Sequence, residues 1–180
     1  MRILTQILLL TFFTACKTDN KNNQEEIFKD VINEFYSSAA KEFKNLYDSN
    51  EVIVNPFNDH LDSIMVARVK RDSSLDLAPD ELHLFNELEK ILDEPLDVDF
   101  RAITKGKKFI LNNESQTDYE KDNYVGSTFI SKVAIDDKFE NGVFYIDIQL
   151  GKTRGAGGFF VFVKKTDKRW SIYDIWKVWS

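Results

Sequence analysis

Gly151-Lys152-Thr153 has the residue types that close a phosphate-binding loop, where backbone amides cradle phosphates and a lysine reaches them. Such a loop also needs a glycine five residues before Gly151 and a helix after it. Ile146 stands at the first place, and Arg154-Gly155-Ala156-Gly157-Gly158 leads into an apolar run. The dinucleotide pattern fails as well, because its last glycine would fall on Phe160. The segment reads as a glycine-rich hairpin or bulge, and no cofactor is expected. His60 and His83 are the 2 histidines. His60 lies in Asp59-His60-Leu61-Asp62, without a second imidazole nearby, and reads as a polar loop or strand edge. His83, between Leu82 and Leu84, reads as a helix-surface residue. Asp93, Glu94, Asp97 and Asp99 crowd around Pro95 but lack the glycine and terminal glutamate of a calcium loop, so solvated charge is expected and no metal. Paired carboxylates for hydrolysis stay open, because their spacing is set in three dimensions.

One further set alternates. Tyr145, Asp147 and Gln149 share a parity opposite to Phe144, Ile146, Ile148 and Leu150, with Lys152 and Arg154 beyond them. The plain expectation is a solvated outer face of a sheet. The sharper one is a pocket lined by that face in a curved sheet.

The single cysteine, Cys16, stands at the end of an apolar run, Ile3 to Phe13, that follows the positive Arg2. That run is shorter than the roughly 20 apolar residues of a spanning helix and has the layout of a secretory signal. Phe13-Thr14-Ala15-Cys16 resembles the lipobox of bacterial lipoproteins, with Phe13 in place of the usual leucine. The resemblance implies cleavage before Cys16 and lipid attachment to its thiol. Residues 1–15 are then a signal peptide, and residues 16–24, Cys16-Lys-Thr-Asp-Asn-Lys-Asn-Asn-Gln24, a polar tether too poor in apolar surface to order itself. Lys17 in place of aspartate points to the outer membrane, with the face left open. With Cys16 acylated, no disulfide and no thiol chemistry is left for the remainder.

A net charge of −6 argues against a nucleic-acid groove, which needs concentrated basic surface. The 15 Phe, 6 Tyr and 3 Trp supply ample apolar area for a core, and residues 25–180 read as a single domain.

Two kinds of element must build it. From Glu25 to Asp48, Ile27, Val31, Phe35, Ala39, Phe43 and Tyr47 recur every four residues, widened by Phe28, Ile32, Tyr36 and Ala40, which predicts an amphipathic helix. Glu51–Val54 reads as a short strand stopped by Asn55-Pro56, and Ser63–Val69 as a weaker strand. Pro79-Asp80-Glu81 opens a second helix carrying Leu82, Phe85, Leu88, Ile91 and Leu92. A short helix near Phe100–Ile103, a strand at Lys108–Leu111 and a loop over Asn112–Asn123 follow. From Val125 the period becomes two. Strands are expected around Phe129–Ile135, from Val143, at Phe159–Val163 (apolar on both faces, hence central) and at Trp170–Trp179, with a bulge near Tyr173-Asp174. Asp136, Asp137, Asn141 and Gly142 supply one turn and Lys164–Arg169 another. The expected class is α+β, with amphipathic helices on an antiparallel, meander-like sheet in the C-terminal half.

Phe129–Ile135, Val143-Phe144-Tyr145, Gly155–Val161, Lys168-Arg169-Trp170 and Trp179-Ser180 together resemble the closing third of a bacterial family of exported proteins without a settled activity, so no functional residue is carried over. A looser likeness is to the nuclear-transport-factor-2-like cone.

These readings imply a cell-envelope lipoprotein, held to the membrane by its lipid, with a non-catalytic binding or interaction domain and a protein or small-molecule partner. The alternatives are a small-molecule-binding domain or enzyme with a pocket on a concave sheet face, and an inhibitor or immunity-type protein. A deep pocket with converging polar groups would favour the former and a broad exposed aromatic patch the latter.

Overall fold

A computed structural model describes residues 23–36, 51–55, 61–72, 77–100, 108–111, 126–150 and 156–179. Cys16, His60 and the Gly151–Gly155 segment lie outside these residues, as do the expected part of the first helix after Tyr36 and the expected loop at Asn112–Asn123.

Residues 23–36 form helix α1. Its stripe is the one the spacing predicts: Ile27, Phe28, Val31, Ile32, Phe35 and Tyr36 are all fully buried. Strand β1 (Glu51–Asn55) precedes two further helices, α2 (Ser63–Arg71) and α3 (Pro79–Lys90). Strands β2 (Lys108–Leu111), β3 (Gly126–Ile130), β4 (Ala134–Ile135), β5 (Asn141–Leu150), β6 (Ala156–Thr166) and β7 (Arg169–Trp179) complete the order. The class is α+β.

The described strands make one sheet in the order β2-β1-β3-β5-β6-β7, with the short β4 set against the start of β5. From β3 onward every pairing is antiparallel, as the short turns demand. The β6–β7 turn is the two residues Asp167 and Lys168, both at positive φ (50° and 68°), the geometry whose twist matches that of the flanking strands. At the β4–β5 turn, Asp136 accepts hydrogen bonds from the Glu140 amide (2.9 Å) and Asn141 Nδ2 (2.7 Å). Partial burial alone would raise its carboxyl, but these bonds outweigh that and hold it below its usual value. The N-terminal part of the sheet differs in kind, since β1 runs parallel to both β2 and β3. The chain between β1 and β2 carries α2 and α3, a crossover of the length that parallel strands require.

Both faces of the central strands are covered. Phe144, Ile146 and Ile148 of β5 join Phe159, Val161 and Val163 of β6 under α1. Val143 and Tyr145 of β5 join Phe160 and Phe162 of β6 under α2 and α3, through Val66, Leu84, Phe85 and Leu88. Edge-on ring contacts key the layers: Phe28 on Phe144 (5.2 Å) on one side, Phe85 on Phe160 (4.9 Å) on the other. Burial of each such ring contributes roughly 1.5–3 kcal/mol.

The fold corrects three expectations. Ser63–Val69 is helix, not strand. Asp62 caps it, its Oδ1 accepting from the Met65 amide at 2.7 Å, and Arg68, Lys70 and Arg71 lie in the last turn where the helix dipole favours cations. The β-branched content of the segment concealed a three-residue spacing of the buried Val66 and Val69. The tether ends earlier than expected, for residues 23 and 24 are helical and Gln24 is buried. Third, the Tyr145–Asp147 face is not solvated: Tyr145 is fully buried and Asp147 is 2% exposed.

Candidate functional site

On the face under α3, one row of side chains crosses the sheet in register. Phe129 opposes Asp147, Asp147 opposes Gly158, and Gly158 opposes Trp179. Trp179 reaches this row through a register shift in β7 that leaves Val178 without a partner on β6. In a regular strand Trp176 and Trp179, three residues apart, would point to opposite faces. The irregularity puts both on the α3 side, where Trp176 meets Phe85 and Phe162. A second shift, opposite Phe162/Val163, skips Tyr173 and likewise lets Ile172 and Ile175 share the α1 face.

Gly158 makes room for the terminal indole. A Cβ there would lie 2.0 Å from Trp179 Nε1 and 2.4 Å from Tyr145 Oη. Across that gap the indole N–H donates to the phenol oxygen at 2.8 Å. Burial pushes the Tyr145 phenol well above its usual 10.0, Asp147's negative charge adds to this, and the bond from Trp179 recovers only part. A phenol so placed stays protonated at neutral pH. It is a hydrogen-bonding group that fastens the last strand to the middle of the sheet, not a base.

The accessible feature lies on the other side of the helical layer. Ser63, Ile64, Ala67, Arg68, Arg71 and Asp72 of α2 and its C-cap, with Glu89 of α3, line an open hollow of about 800 Å³. Ile64, Arg68 and Arg71 follow at four and three residues, one stripe of a helix. Ile64 is 75% exposed, uncommon for so large an apolar side chain standing beside cations. Lys70 is held by Glu89 at 2.9 Å, whereas neither guanidinium forms an ion pair among the described residues. The arrangement can hold an anionic group between Arg68 and Arg71 while an apolar group rests on Ile64.

The residues singled out in the sequence are dispersed. His83 is exposed on α3, and Asp93, Glu94, Asp97 and Asp99 are exposed, with Glu94 paired to Lys132 at 2.5 Å. Tyr145 and Asp147 adjoin one another in the core, and Gln149, partly buried, follows on the same strand. A strand over Ser63–Val69 gives Arg68 and Arg71 no common face, because residues three apart in a strand point opposite ways. Their helical spacing from Ile64, behind the Asp62 cap, is the signal that finds them.

No protein-family model matches the chain, and neither does any curated protein or solved structure.

Proposed function

We propose that this chain is a lipoprotein of the bacterial cell envelope, acylated on Cys16 and held at the outer membrane, whose α+β domain binds a partner and does not catalyse. The anchor rests on the sole cysteine, which falls directly after Phe13-Thr14-Ala15 at the close of an apolar run. The binding role rests on one observation: Arg68 and Arg71 follow a largely exposed isoleucine, Ile64, along one stripe of α2 in an open hollow. An open surface of this kind suits recognition of an acidic and partly apolar group. A group held there stays in contact with water, without the exclusion of solvent that a closing active site provides.

Two measurements test the two halves separately. Cys16→Ala in the full chain should abolish incorporation of labelled palmitate and release the protein from the membrane fraction. Retained label or retained sedimentation would sink the anchor reading. For the binding half, a photo-crosslinking residue at position 64 of the full chain should capture a partner in cells, and Arg68→Glu with Arg71→Glu should lower the yield at least tenfold. An unchanged yield with both charges reversed would refute the hollow as the binding surface.

A further inference from the structure

β7 is the last strand of the sheet order and spans 11 residues, so one of its sides has no strand beside it among the described residues. An edge of that length carrying Tyr173, Ile175, Trp176 and Val178 is a template for pairing with another chain. The two-residue turn fixes which of its amides face outward. Thr166 and Arg169 close the turn as a hydrogen-bonded pair, so Ser171, opposite Lys164, also bonds inward, and the amides of Trp170 and Ile172 point away from β6. Beyond the irregularity at Tyr173, Asp174 opposes Phe162, and the next outward amide is that of Ile175.

All three of these outward donors end on carboxylates. The Trp170 amide donates to Asp30 Oδ2 at 3.0 Å and the Ile172 amide to Glu34 Oε2 at a longer 3.4 Å, both on α1. The Ile175 amide donates to Asp174 Oδ1 at 2.8 Å, and the other oxygen of Asp174 accepts from Trp176 Nε1 at 2.7 Å. The match to α1 is metric. Four residues of helix rise about 6 Å and two residues of strand about 6.7 Å, so acids at i and i+4 meet alternate amides of a strand running alongside. One turn earlier on the same ridge, Glu26 pairs with Lys165 of β6 at 2.9 Å, which holds the helix in that register.

We infer that Asp30, Glu34 and Asp174 act as a guard on the β7 edge, and that without them β7 pairs with β7 of a second copy of this chain. An incoming strand must displace charge-assisted hydrogen bonds and bring its own carbonyls against the displaced carboxylates, which lose water without gaining a donor. A second copy is the partner because a two-fold axis through an antiparallel pair satisfies both edges at once. The inference does not depend on the anchor or on the α2 hollow.

The test is the mass of the full chain in detergent by light scattering, across a dilution series. The parent should run as one copy. Asp30→Ala/Glu34→Ala/Asp174→Ala should associate into two copies at a concentration at least tenfold lower than any association of the parent. Adding Ile172→Pro, which removes an outward donor while keeping an apolar side chain at that position, should return the triple variant to one copy. Asp174→Ala alone lies away from α1 and the core and should shift association about threefold, so a triple variant that fails to fold leaves a reading. A folded triple variant that stays a single copy overturns the inference, as does association untouched by Ile172→Pro. A parent that is already a dimer through this edge overturns it too.

Discussion

Gln24 is the residue whose loss should be most informative for its size. It stands in the first turn of α1, is 4% exposed, and uses its whole amide on one distant residue. Nε2 donates to the Val133 carbonyl at 2.9 Å, and Oε1 accepts from the Val133 amide at 2.8 Å, across 109 positions of sequence. The side chain thus acts as a one-residue strand partner where the chain turns between β3 and β4. Val133 is itself 2% exposed, so water cannot replace the lost bonds. In Gln24→Met the stem volume is kept and both backbone groups are left unsatisfied, each at about 1–3 kcal/mol, for a total of about 2–6 kcal/mol. Against the roughly 5–15 kcal/mol of a typical domain this is a large fraction. Gln24→Glu keeps the acceptor but aims a second oxygen at the Val133 carbonyl, so at neutral pH it should cost at least as much. Urea unfolding followed by tryptophan fluorescence reads the difference, with the midpoint lowered and the slope unchanged. A chain beginning at Glu25 should show the same loss, and one beginning at residue 23 should not. If Gln24→Met lowers stability by less than about 0.5 kcal/mol, the bond pair is not a structural tie, and the start of the fold must be placed after it.

Two other outcomes are expected. Gly158→Ala should destabilise by about 2–4 kcal/mol, from overpacking plus the broken Trp179–Tyr145 bond; in a Trp179→Ala background the same change should cost less, the clash with the Tyr145 hydroxyl being all that is left, and strictly additive losses in the melting curves would refute the lock. Burial, with Glu81, Asp174 and Asp80 nearby, pushes the Tyr173 phenol up to about 12. Since the folded value lies above the ordinary 10.0, the neutral phenol supports the fold fully below pH 10, and that support is lost as pH rises towards 12. Tyr173→Phe should therefore flatten the alkaline limb of the stability profile, and an unchanged limb would show the group to be uncoupled.

How far the sequence carries can be judged from particular residues. The α1 stripe is legible because a four-residue recurrence of large apolar groups has one cheap solution, a helix against a sheet. The turns at Asp136–Gly142 and Lys164–Arg169 are legible because runs of polar residues interrupt the apolar alternation there. Phe159–Val163 reads as central, and the irregularity at Tyr173 is visible as a parity break, because alternation is a local property of a strand. What failed was also local. Ser63–Val69 has strand-like composition, and only the Asp62 cap and the last-turn cations mark it as helix, so the Ile64–Arg68–Arg71 stripe stayed hidden.

The remainder was never in the local pattern. Neighbours in the chain suffice for the α+β class, the helix at the start and the antiparallel C-terminal strands, since each of these is a local pattern. Tertiary structure alone decided that β1 runs parallel to β2 and β3 and that helices close both faces, which buries Tyr145 and Asp147 despite their polar alternation. It also decided that Gln24 completes Val133, that Gly158 yields its space to Trp179, and that acids of α1 meet the amides of β7. Each is a contact between residues about 20 to 140 positions apart. Polarity and periodicity report how a residue faces its own helix or strand, and they carry no information on which distant group stands opposite.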